Sequence, residues 1–109
     1  MTAKIQIPDL QVVIFKRDKW WIAQCLQYDI GAQAHTLDDV RYEIQRALIG
    51  HLYISIHHNK VPFVDLPPAP EANWKKFRGT VLRIELVEAA DFSMPGQLPP
   101  LKPEVRVNA

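Results

Sequence analysis

Cysteine, glycine and serine are all scarce in this chain, and each scarcity removes a class of chemistry. Cys25 is the single cysteine among 109 residues, so no internal disulfide can close. Such usage suits a reducing compartment. Gly31, Gly50, Gly79 and Gly96 are the only glycines, and none belongs to a phosphate-cradling loop. Ser55 and Ser93 are the only serines, and neither sits in a nucleophile elbow. Charge of one sign is lacking too: 13 Lys and Arg stand against 12 Asp and Glu, a formal net charge of +1. Proteins that hold duplex nucleic acid by its phosphates ordinarily carry a basic excess or patch. Here the basic residues fall into two small clusters, Lys16, Arg17 and Lys19, then Lys75, Lys76 and Arg78. Direct DNA binding is therefore not expected. No apolar run approaches the roughly 20 residues of a membrane helix, and Gln6, Pro8, Asp9 and Gln11 break up the N-terminal segment. The expected location is cytoplasmic, without membrane association.

What is present is the material of one small α+β domain. Hydrophobic residues make up 48% of the chain and charged residues 23%, ordinary for a globular protein. Leu10 to Phe15 and Trp20 to Leu26 are short apolar runs flanking a charged turn, which predicts a β-hairpin. A third strand is expected over Ile30 to Ala34. Thr36 then offers an N-cap, and Asp38 and Asp39 place negative charge in the first helical turn. Leu37, Val40, Ile44, Ala47, Leu48 and Leu52 follow at helical spacing, and His57 to Lys60 with Pro62 mark the far end. Val61 to Pro70 holds four prolines and reads as an extended crossing loop. A short helix over Glu71 to Phe77 and a strand over Thr80 to Val87 complete the order β-β-β-α-(α)-β. The simplest assembly is an antiparallel sheet with the long helix across one face. Residues 1–90 form the expected domain, with the Pro-rich loop at 61–70. Residues 91–109 are expected to be a Pro-rich flexible tail without regular structure.

The most informative feature is a surplus of apolar surface. In the second strand Trp21, Ala23 and Cys25 point one way, and Trp20, Ile22 and Leu26 the other. A two-layer domain needs only one apolar sheet face, so the second must be covered. Either the Pro-rich loop or tail folds over it, or it is an interface with Trp20 as an anchor. The second half of the helix, including Ile49 and Tyr53, also exceeds a single stripe. Trp20, Ile22, Leu26, Ile49 and Tyr53 are thus the candidate partner or oligomer interface. Catalytic candidates are weaker. His51 and His58 share a helix face without a matching acidic or cysteine ligand. Cys25 lies mid-strand among apolar residues, and helix capping and a turn account for Asp38, Asp39 and Asp29. No catalytic residue, metal or cofactor is expected, and the chain reads as non-enzymatic.

The run Trp21-Ile22-Ala23-Gln24-Cys25-Leu26, the turn Asp29-Ile30-Gly31, the helix start Thr36-Leu37-Asp38-Asp39-Val40 and the following Ala47-Leu48 resemble the HicB-like antitoxin domain over roughly residues 10 to 60. Ala34-His35 stands where that family has Gly-Asp, and Asp39-Val40 where it has Glu-Ala. The resemblance implies a partial ribonuclease-H-like fold without the nuclease site, and a domain that masks a small, basic, mRNA-cleaving toxin. Family members often add a DNA-binding segment, for which no periodic helix follows Val87, so a divergent or orphan branch is implied. Homo-oligomerisation, most simply a dimer, is also expected. The rival expectation is a small RNA- or DNA-binding regulatory module; a third is a small hydrolase or nuclease built on the acidic residues.

Overall fold

The computed structural model describes residues 9–84, 101 and 103–108. Five strands form one sheet in the order β3-β2-β1-β5-β4. They are β1 (Gln11–Arg17), β2 (Trp20–Cys25), β3 (Gly31–Ala34), β4 (Arg83–Ile84) and β5 (Glu104–Asn108), with helices α1 (Leu37–His57) and α2 (Glu71–Arg78) between β3 and β4. The chain is an α+β fold, as expected, with the long helix packed on the sheet.

The central strand explains its own sequence. Val12, Val13, Ile14 and Phe15 are consecutive and all buried, because β1 is covered on both faces. Val12 and Ile14 face α1 and join Ala23, Cys25, Val105 and Val107 against Val40, Ile44, Leu48 and Leu52 of the helix. Val13 and Phe15 face the other way and pack with Leu26, Ala69 and Phe77, the last two from the Pro-rich loop and α2. The domain therefore has three layers: α1, sheet, and a smaller cover of α2 plus loop.

The first two strands form a hairpin in which Arg17 pairs with Trp20. Lys16 and Arg17 thus belong to β1, and Asp18 and Lys19 alone make the turn, with Asp18 in the left-handed region at φ 55°. The small side chains of Ala32 and Ala34 in β3 allow α1 to settle closely upon it. The start of α1 is capped as expected, Thr36 Oγ1 accepting from the Asp39 amide at 3.1 Å. Its end closes in a Schellman motif. The Asn59 amide donates to the Ile56 carbonyl (3.1 Å) and the Lys60 amide to that of Ser55 (2.8 Å), with Asn59 left-handed at φ 55°.

Two expectations are corrected, and a third is met in part. The sheet is mixed rather than antiparallel, because β5 runs parallel to β1. A Pro-rich tail without regular structure was expected over 91–109, yet residues 104–108 form β5, inserted between β1 and β4. Prolines cannot donate to a ladder, but the last of them, Pro103, precedes the strand and leaves its amides free to pair. The strand expected over Thr80 to Val87 is seen only as Arg83–Ile84, and its later residues lie outside the described ones.

Candidate binding face

Among the described residues the cover opposite α1 does not span the sheet. Helix α2 lies against β1 and β5. It is pinned by Phe77 in the core and by Trp74, whose indole N–H donates to the Ala69 carbonyl at 3.2 Å. The Pro-rich loop reaches the far end of β2, where the Ala69 amide donates to the Leu26 carbonyl (2.9 Å) and the Asp29 amide to that of Pro67 (2.6 Å). What α2 and the loop leave open is the hairpin end of β2 and its neighbour β3.

Trp20 stands at that end, 38% exposed, with its ring stacked on His35 at a centroid distance of 4.0 Å. Ile22 is half-buried against the Val13, Phe15 and Leu26 cluster, so it forms the floor beside Trp20. Leu26, expected at the interface, is instead fully buried within the chain. The loop packs over it, which answers locally for the surplus apolar surface. Ile49 is likewise buried within the chain. Tyr53 is half-buried on α1, its ring stacked on His57 at 5.9 Å. Trp20 and Ile22 are thus brought together on one open face, while Leu26, Ile49 and Tyr53 do not join them in an exposed surface.

The structure adds cations to this face that sequence spacing did not connect. Arg17 is the cross-strand partner of Trp20 and so shares its side of the sheet. Its guanidinium lies 5.9 Å from the centre of the Phe15 ring, and Lys76 of α2 lies 5.0 Å from that same ring. The two basic clusters of the sequence therefore meet over one phenylalanine. Lys19 is exposed at the adjacent turn. The resulting strip runs Lys76, Arg17, Trp20, His35. Its one sequence signal was strand parity, which places Arg17, Trp20 and Ile22 on a common side.

Several of the weaker candidates take structural roles. Cys25 is fully buried beneath α1, and burial raises its thiol pKa although backbone hydrogen bonds at Tyr28, Gln27 and Leu26 oppose this. A protonated, enclosed thiol is inert. Asp29 accepts from the Gln24 side chain at 2.7 Å, organising the β2–β3 corner, and Asp38 pairs with Arg41 at 3.5 Å. Among the described residues no group of three or more His, Cys, Asp or Glu can hold a metal ion. His51 and His58 line an open depression of about 200 Å³ with Ser55, Phe63 and Asp65, near the exposed Ile54 and Val64. Phe63 forms its floor in a left-handed conformation, φ 63°, with its ring stacked on Tyr28 at 5.0 Å. Among the described residues no helix is long and apolar enough to cross a membrane.

Comparison with protein-family models, with curated proteins and with solved structures found no match to this chain.

Proposed function

We propose that the chain works by binding another protein, as an orphan relative of HicB-type antitoxin domains rather than as the mask of a basic toxin, and that the open end of the sheet around Trp20 and Ile22 is where the partner seats. The observation that carries this reading is the unfinished cover: α2 and the Pro-rich loop enclose Val13, Phe15 and Leu26 but leave Trp20 exposed beside a half-buried Ile22. A large aromatic on a rigid strand, next to an apolar floor and rimmed by polar groups, is the composition of a binding hot spot. The segment that bears the family resemblance, residues 10 to 60, folds as three antiparallel strands followed by α1. The helix start Thr36 to Val40, part of the resembling segment, is capped by the Thr36 side chain.

The experiment is affinity capture from the native host by the full chain and by its Trp20→Glu variant, with light scattering on the eluted species. A stoichiometric protein retained by the native chain and lost with Trp20→Glu is the expected result. Equal retention by both chains overturns the assignment of this face.

A further inference from the structure

We infer that the protein seated on the Trp20 face is acidic there: it presents carboxylates to Arg17 and Lys76 around an apolar residue that packs on Trp20 and Ile22. This inference rests on the proposed binding reading and adds the chemistry of the partner.

The argument begins with Phe15. Its ring holds two cations, Lys76 at 5.0 Å and Arg17 at 5.9 Å, which come from elements far apart in the chain. The negative face of an aromatic ring attracts a cation, so one ring serves both side chains. Neither Arg17 nor Lys76 forms an ion pair among the described residues. The neighbouring basic residues behave differently: Arg78 is paired with Glu71, and Arg83 and Arg106 with Glu104. Among the described residues Arg78 of α2 and Arg106 of β5 are thus neutralised, whereas Arg17 and Lys76, like Lys75, are not. Two cations on the β1 side of an exposed aromatic, neither ion-paired among the described residues, are complementary to an anionic surface that also carries an apolar group.

The same charges argue against the other occupants. A second copy meeting this strip about a two-fold axis brings its own Arg17 and Lys76 to the same place, because an isologous contact uses one patch twice. Like charges then come within about one Debye length, about 8 Å in physiological salt. The basic toxin implied by the family resemblance meets the same repulsion, so it does not suit this face. Single-stranded nucleic acid shares the anionic character and can stack on Trp20 and His35. It needs cations repeated along a track, however, and beyond Arg17 and Lys76 the strip has only Lys19 at the adjacent turn. A chain of formal net charge +1 supplies no further basic field. The half-buried Ile22 floor favours a side chain over a base.

The test uses the full chain and follows the indole N–H signal of Trp20, identified by its loss in Trp20→Phe. Three probes are titrated: a dodecapeptide of glutamates interrupted by leucines, its counterpart with lysine for glutamate, and dodecameric poly-dT. The glutamate peptide is expected to move the Trp20 signal and bind at least about tenfold more tightly than either other probe. The double variant Arg17→Gln, Lys76→Gln is expected to weaken it by about tenfold or more, the scale of a lost charge pair at a binding face. An unmoved Trp20 signal, a lysine peptide that binds as well, or an unchanged affinity in the double variant overturns the inference. Tighter binding of poly-dT also overturns it, in favour of nucleic acid. Failure of the underlying reading looks different. A host partner lost with Trp20→Glu but kept by the double variant leaves the binding face intact and removes only its acidic preference. A partner kept by Trp20→Glu removes the face itself.

Discussion

Arg106 of β5 lies over the ring of Phe77 in α2, its guanidinium carbon 4.2 Å from the ring centre. One terminal nitrogen donates to the carbonyls of Phe77 (3.2 Å) and Thr80 (3.0 Å), while the other holds Glu104 at 3.0 Å. The Phe77 carbonyl lies in the last turn of α2 and that of Thr80 just past its end, where the helix leaves acceptors without intrahelical donors. A cation there answers both the acceptors and the negative end of the helix dipole. Arg106 thereby fastens the second layer of the fold to a strand that lies well beyond it in the chain.

Replacing Arg106 by alanine removes the hydrogen bonds and the stacked cation together. The expected cost is about 2 kcal/mol, the scale of hydrogen bonds to a charged group, read as a lower urea midpoint. Arg106→Lys keeps the charge but not the planar fork, so most of the loss remains. Amide exchange in α2 rises more than in α1, since α1 is anchored by a separate core. Equal effects on both helices would refute the local tether.

Glu104 gives this attachment a pH dependence with a definite sign. Hydrogen bonding from Arg106, opposed by some desolvation and aided by the charges of Arg106 and Arg83, holds its carboxyl below the ordinary value of 4.5. The folded state thus favours the carboxylate. Its stabilising contribution is fully present above the ordinary value and is lost as pH falls through the lower folded value. Native chain and Glu104→Gln are therefore expected to differ in urea midpoint at neutral pH and to converge in acid. A gap that widens on acidification contradicts the sign.

Asn59 supplies a third check. It occupies the left-handed position that ends α1, where glycine is favoured and asparagine tolerated. Asn59→Ala is expected to cost about 1 kcal/mol, because the alanine Cβ crowds the following carbonyl in a conformation that asparagine tolerates better than other non-glycine residues. Asn59→Gly is expected to be neutral within about 0.5 kcal/mol. Thermal unfolding of the pair separates this from a role for the amide itself, since that role makes both variants equally costly.

Much of this architecture was legible locally, and the missing parts share a cause. Thr36, the aspartates after it and the stripe from Leu37 to Leu52 specify α1 within a few turns. Trp74 and Phe77 likewise foretell α2. Strand β5 escaped because Val105 and Val107 alternate over only five residues behind Pro103, and its parallel pairing with β1 leaves no turn to read. At the candidate face, the parity of β2 already set Trp20 apart from Trp21. The burial of Leu26 under Ala69 and the meeting of Arg17 with Lys76 over Phe15 are tertiary events. Sequence spacing carries no signal for either.

The two adjacent tryptophans give the sharpest contrast between fold and surface. Trp21 packs against the α1-facing core and carries Lys16 over its ring at 5.7 Å, whereas Trp20 stands on the open side against His35. A glutamate at 21 must either enter an apolar layer or abandon the packing of a large ring, so Trp21→Glu is expected to lose about 3 kcal/mol or more. Trp20→Glu exchanges a partly solvated ring for a solvated carboxylate beside its cross-strand partner Arg17, which receives it favourably. Its stability is expected to change by less than about 1 kcal/mol. Urea unfolding with circular dichroism measures both. If Trp20→Glu unfolds the chain while Trp21→Glu does not, the two faces of β2 have been exchanged, and the binding surface must be sought on the side of α1.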